Sequence, residues 1–180
     1  MLKSIVLNNL TSQKGEVMSA IAELKGTAES EKILQLTLNS TLGTIPEGLE
    51  IIQMIHTSPV DLTTDSTGEL SPAGLLIAAA GKPDNRKAHY STIFKLSDIV
   101  VDEKGKKKST DPYLTSLLET LCGLGARRKN LTEIASKQSF ITANDAKKLK
   151  IIDDAGLVKN KYGKDKDSKK DANATQEVTS

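Results

Sequence analysis

The residues with the most chemical content lie in the stretch GELSPAGLLIAAAG, positions 68–81. A glycine, a short polar turn and an Ala/Leu-rich run form the pattern of a strand turning sharply into a helix. In several hydrolase folds that elbow presents a nucleophilic serine. Here Ser71 sits in the turn and Pro72 follows it directly. Two roles compete for Ser71. As a shifted nucleophile it needs a base within hydrogen-bond reach. As a helix N-cap it needs only an extended backbone and a residue that starts a helix well. Pro72 supplies both, because its ring fixes its own φ and disfavours the helical region for the residue before it. The pattern favours the cap.

Other reactive groups are few. Lys95 could serve as the amine of a Ser–Lys pair, although a lysine on a strand surface is the commoner reading. His56 closes a helical stretch, where a cation suits the dipole. Two separated histidines, His56 and His89, and the single Cys122 do not make a metal site, and no cofactor is expected. Cys122 falls inside a leucine stripe and reads as a small buried hydrophobe.

Composition narrows the class. The 25 Lys+Arg nearly cancel the 23 Asp+Glu, which argues against a dedicated nucleic-acid or membrane-surface binder. Two Phe, three Tyr and no Trp leave little to stack bases on, so the core must come from Leu, Ile, Val and Ala. One cysteine rules out a disulfide within the chain and fits a reducing compartment. The apolar run of MLKSIVLNNL is too short for a signal peptide, and that around Leu75–Ala80 is too short for a membrane span. A cytoplasmic protein is the expectation.

The elements that must position the elbow follow from periodicity. SIVL (4–7) and the alternating KILQLTL (32–38) read as strands, and VDLTT (60–64) as a third. Between the first two, Thr11 or Ser12 caps a helix carrying Val17, Ile21 and Leu24, and Gly26 stops it. A second helix runs from about Pro46 to His56 and a third from Pro72 to Ala80, after which residues 86–96 are strand-rich. Residues 100–111 form a charged excursion in which Lys104, Lys106, Lys107 and Lys108 adjoin Asp102 and Glu103. They could meet an acidic partner, but a solvated loop is the ordinary case.

Asp111 and Pro112 then begin a helix whose stripe of Leu114, Leu117, Leu118, Leu121 and Leu124 faces either this chain's core or a neighbouring subunit. Thr142 caps a last helix. Alternating strands and helices predict an α/β domain of repeated β-α-β units with a mostly parallel sheet over residues 1–158. Residues 159–180 hold almost no large apolar side chains and are expected to be a disordered Lys/Asp-rich tail.

Three segments, in order and in register, resemble the proteolytic subunit of ATP-dependent Clp protease, ClpP. KILQLTLNSTLG with the following helix is similar to its strand, N-S-P-G-G loop and helix. GELSPAGLLIAAAG is similar to its G-Q-A-A-S-M-G-A-x-L-L-x-A-G segment. FITANDAKKLKIIDDAG is similar to its F-x-S-A-x-E-A-x-x-Y-G-L-I-D ending. The resemblance covers about residues 3–158 and implies a ClpP/crotonase-like fold with a helical handle, assembled in rings.

The departures carry more information than the matches. With Gly68 and Gly74 holding register, the family's nucleophile falls on Pro72, its general base on Ser97 and its orienting Asp on Gln138. Proline has no reactive side chain, serine is no base near neutral pH, and glutamine cannot stabilise an imidazolium. His89 lies eight residues before position 97, about 26 Å away if residues 86–97 are one strand. The oxyanion-hole positions fall on Gly43 and on Ala73, which keeps its backbone N–H.

The resemblance therefore implies a catalytically inactive subunit in an oligomeric protease ring. Its partners would be itself or an active ClpP-type paralogue, with an ATP-dependent unfoldase possible and neither nucleic acid nor membrane involved. Two alternatives stay open. One is a weak serine peptidase using Ser71 or Ser97. The other is a peptide- or acyl-binding module using the Gly43 and Ala73 amides.

Overall fold

A computed structural model describes residues 1–28, 30–96, 99–101, 107–109 and 113–156. The chain runs β1 (Leu2–Asn9), α1 (Leu10–Gly26), β2 (Ile33–Leu42), α2 (Ile45–His56), β3 (Asp61–Thr67), β4 (Glu69–Leu70) and α3 (Pro72–Ala79). It continues through β5 (Arg86–His89), β6 (Ile93–Lys95), β7 (Ile99–Val101), β8 (Lys107–Ser109), α4 (Leu114–Gly123) and α5 (Arg128–Lys137). It closes with β9 (Phe140–Thr142), α6 (Ala143–Lys148) and β10 (Asp154–Gly156). Ser97, Asp111, Pro112 and the 159–180 segment lie outside the described residues.

Strands β1-β2-β3-β5-β10 form a parallel sheet, as the alternating pattern predicts. One face carries Ile5, Leu7, Leu34, Leu36, Leu38 and Leu62, all buried against the helices. A small sheet, β4-β6-β9, branches off after β3, and β7 pairs with β8 as a hairpin. The strand-rich run 86–96 is therefore not one strand. It breaks at Tyr90–Ser91, leaving β5 in the large sheet and β6 in the small one. A turn in which the Thr92 N–H donates to the His89 carbonyl at 2.9 Å makes the switch.

Helix α3 is the centre of the core. Its residues Ala73 to Ala79 are all buried, so it is apolar on every side. Leu75, Leu76 and Ile77 are fully buried, worth about 1.5–3 kcal/mol each in transfer free energy. Helix α2 crosses it at Gly48, where a side-chain carbon would come 3.1 Å from the Ala73 Cα. A Cβ there would force the two helices apart by a few tenths of an ångström. On the sheet side the Thr64 hydroxyl donates to the Ala78 carbonyl at 3.0 Å.

The leucine stripe packs within the chain. Leu117 and Leu121 of α4 are fully buried, and Leu114, Leu118, Leu124 and Cys122 pack partly buried around them. Helix α1 is capped by Asn9, whose side chain accepts the Ser12 N–H, rather than by Thr11 or Ser12 themselves. Thr142 caps α6 as predicted, accepting the Asp145 N–H.

Arg86 joins the two ends of this arrangement. It is 7 % exposed, and its Nε and Nη2 grip both oxygens of Asp153 at 2.9 and 2.6 Å. Its Nη1 donates to the Ala79 carbonyl at the end of α3, at 3.4 Å. The guanidinium holds the Asp153 carboxyl below its ordinary range, against a smaller opposing effect of burial. A depressed carboxyl stabilises the fold above the unfolded pKa, near 3.9, and that stabilisation is lost as acid drives pH down towards the folded value. Asp153→Asn should cost about 3 kcal/mol at neutral pH, because Arg86 is left buried without its counter-charge. Its denaturant midpoint should fall less steeply than that of the parent below about pH 4. Urea unfolding at pH 7, 4 and 3 measures both effects.

Candidate active site

Three segments converge at one end of the small sheet. Strand β4 leads directly into Ser71 and Pro72, and β6 pairs with it in parallel through Leu70 and Phe94. On the other side of β6, β9 runs antiparallel with Lys95 opposite Phe140. The Leu96 N–H donates to the Ser139 carbonyl at 2.7 Å, which brings Gln138 to the same end. The elbow and Gln138 thus lie at the same end of the small sheet. Ser97 lies outside the described residues.

At the elbow Ser71 is extended, with φ −63° and ψ 167°, and its hydroxyl accepts the Gly74 N–H at 3.3 Å. Pro72 is the first helical residue. The serine oxygen is thereby turned into the first turn of α3, as a cap requires. Gly68 makes the approach to the elbow possible: its φ is +75°, and a side chain there would strike Ser40. Gln138 closes α5, its N–H donating to the Ile134 carbonyl at 3.0 Å.

The second loop is tied to the elbow through Thr41. Strand β2 bulges over Asn39–Thr41, with Ser40 at φ 46°. The bulge turns Thr41 inward until it is fully buried. Its hydroxyl donates to the Leu7 carbonyl at 2.8 Å, and its own carbonyl accepts the Ser71 N–H at 2.9 Å. Gly43 follows, packed so closely on Leu10 that a Cβ would lie 2.7 Å from Leu10 Cδ1. Beyond it Glu47 reaches back to the Thr44 N–H at 2.7 Å and takes the Thr11 hydroxyl at 2.6 Å. The Thr11 hydroxyl first, then the Thr44 amide, hold its carboxyl below the usual range.

Gly43 and Ala73 differ in exposure. Gly43 is partly exposed, whereas Ala73 is fully buried beneath Gly48 of α2. A carbonyl group has no open path to the Ala73 amide in this arrangement. Sequence reasoning missed this burial, because it depends on tertiary packing. It also missed Leu42, which takes the place of the first glycine of the N-S-P-G-G loop and stands 61 % exposed beside Gly43.

The remaining candidates sit elsewhere. Lys95 is ion-paired with Glu69 at 2.8 Å, across β6 and β4. His89 ends β5, in the other sheet, with its Nδ1 2.6 Å from the Ser91 hydroxyl. His56 is the exposed last residue of α2. A cleft of about 370 Å³ opens at the far end of α3, between Ile55, Leu62, Ala80, Lys82, Arg86 and Leu124, away from the elbow. Among the described residues no group of three or more His, Cys, Asp or Glu is placed to hold a metal ion. No helix among them is long and apolar enough to cross a membrane.

Ser71→Ala removes the acceptor for the Gly74 N–H and should lower stability by about 1 kcal/mol, a typical cap loss. Ser71→Asp should recover most of it, since aspartate caps equally well. Thermal unfolding of the three proteins distinguishes a cap from a residue with no structural duty, whose loss would leave all three alike.

A model of the Clp protease family matches residues 4–156. Among solved structures, the ClpP protease catalytic domain from Plasmodium falciparum matches with a TM-score of 0.65 at 20 % identity, over 87 % of this chain and 86 % of that one. At that identity the likeness speaks to the fold, and the layered α/β arrangement with its mostly parallel sheet is shared. No curated protein matches the chain. The family match spans both sheets, the elbow and the closing strand: this chain belongs to the Clp protease family.

Proposed function

We propose that this chain is a catalytically inactive ClpP-like subunit with a structural or regulatory role in an oligomeric Clp-type protease ring. The observation that carries the reading is the elbow. Pro72 occupies the position the resemblance gives to the nucleophile, and the neighbouring Ser71 hydroxyl is engaged by the Gly74 N–H at 3.3 Å. The sequence supplies serine and glutamine at positions 97 and 138 in place of a base and its orienting acid. The fold is kept while the reactive groups are gone, which is the pattern of a subunit retained for its shape. Its partners would be copies of itself or an active ClpP-type paralogue, with an ATP-dependent unfoldase feeding the ring.

The two alternatives have less support. A peptidase built on Ser71 must break a helix cap and find a base, and Lys95 is already paired with Glu69. A binding module using the Gly43 and Ala73 amides must first uncover Ala73.

The purified chain should not hydrolyse fluorogenic peptides or take up a fluorophosphonate probe. Pro72→Ser alone should stay equally silent, because it restores a hydroxyl without a base. Hydrolysis that disappears in Ser71→Ala would overturn the reading. Native mass spectrometry of the tagged protein from its own host should find it in a ring, alone or mixed with a second ClpP-type chain. A monomer bound to nothing would overturn the subunit role.

A further inference from the structure

The outer edge of β1 holds a feature that the elbow does not explain. In a parallel strand, alternate residues turn both N–H and C=O to the same side. Met1 and Leu7 turn towards β2, since the Met1 carbonyl accepts the Ile33 N–H and the Leu7 carbonyl accepts the Thr41 hydroxyl. Leu2, Ser4, Val6 and Asn8 therefore turn outward, at the edge of the sheet. The last part of that edge is closed by one side chain. Gln13, in the first turns of α1, donates from Nε2 to the Val6 carbonyl at 2.8 Å and accepts the Asn8 N–H on Oε1 at 2.8 Å. This is the pair of bonds that one residue of an added parallel strand would make. The same Oε1 accepts the Asn9 N–H at 3.1 Å, and Nε2 also donates to Glu16 Oε2 at 3.3 Å. All four hydrogen-bonding positions of the amide are used.

Nearer the start of β1 the edge is open: no partner for the outward Ser4 N–H and C=O is found among the described residues. Leu2 and Val6, on the uncovered face of the sheet, are 59 % and 49 % exposed. A second copy of β1, related by a two-fold axis through Ser4, would set Leu2 opposite the copy's Val6 and Val6 opposite its Leu2. Such self-complementary pairing is how a two-fold interface forms. It would join two apolar cross-strand pairs and fill the outward bonds, but each Leu2 N–H in that register needs a free Val6 carbonyl. Gln13 occupies that carbonyl.

We propose that Gln13 is a lock on the β1 edge, and that releasing it allows two copies of this chain to pair edge to edge about Ser4. Exposed edges invite such pairing unless something blunts them. The lock can open by rotation of one side chain, with α1 left in place by its Asn9 cap.

The test compares native masses across a concentration series. Gln13→Ala should form a species of twice the parental mass, whatever assembly the parent adopts, at concentrations where the parent does not. With one edge bond freed per copy, a shift on the order of tenfold in the association midpoint is expected. Adding Ser4→Pro should abolish that species, since proline removes an outward N–H that β2 does not use. Gln13→Glu serves if the alanine variant folds poorly. It keeps an acceptor for the Asn8 N–H but sets a second oxygen against the Val6 carbonyl, so it too should pair. Parental mass in both Gln13 variants would overturn the proposal, as would a doubled species that survives Ser4→Pro.

Discussion

Everything in this molecule is arranged around a helix that has no solvent side. Residues Ala73–Ala79 of α3 are buried all round, so each neighbouring element is fixed by how it meets that rod. Helix α2 meets it where Gly48 lets two backbones touch, β3 reaches it with the Thr64 hydroxyl, and Arg86 grips its last turn. A helix with these surroundings cannot shift without moving both sheets. Its N-terminus is therefore a rigid point, and a rigid point is what a reactive group at an elbow requires. The chain retains that rigidity and places a proline there.

The same burial ties the elbow into the architecture around it. Ser71 links three things: its hydroxyl caps α3, its N–H binds the Thr41 carbonyl, and its own carbonyl receives the Leu75 N–H at 3.0 Å. Thr41 in turn holds the end of β1 through Leu7. The loop carrying Gly43 and the turn carrying Pro72 thus share one buried threonine. The spacing between the two loops is set by that residue and by the bulge that turns it inward.

Much of this was legible in the residues. Alternation in KILQLTL, the serine–proline start of α3 and the Thr142 cap are local signals, and each element appears where they place it. The failures share a cause, which is that local pattern carries no information about partners. Strand β4 has two residues, too few for any period. Residues 86–96 look continuous because β-forming side chains run through them, yet a turn divides them between two sheets. The α1 cap moved to Asn9 because β1 runs directly into the helix, making the last strand residue the cap. The leucine stripe could have faced either way, and only the position of α3 decides that it faces inward. Ala73 keeps its amide as the sequence promises, but it is buried by packing that no motif records.

The ion pair between Arg86 and Asp153 spans 67 residues of sequence. Strands β1, β2, β3 and β5 pair in sequence order, whereas the outer side of β5 must wait for β10 from the far end of the domain. Contacts between distant residues are slow to form, because loop closure is unfavourable before the contact repays it. During synthesis the guanidinium of Arg86 emerges long before its carboxylate does. A nascent chain can assemble β1, β2, β3 and β5 early, but it holds a charge without its counter-ion at the end of α3 until residue 153 has cleared the ribosome. The interval between those two events is when the sheet lacks its last strand and keeps an open, charged seam.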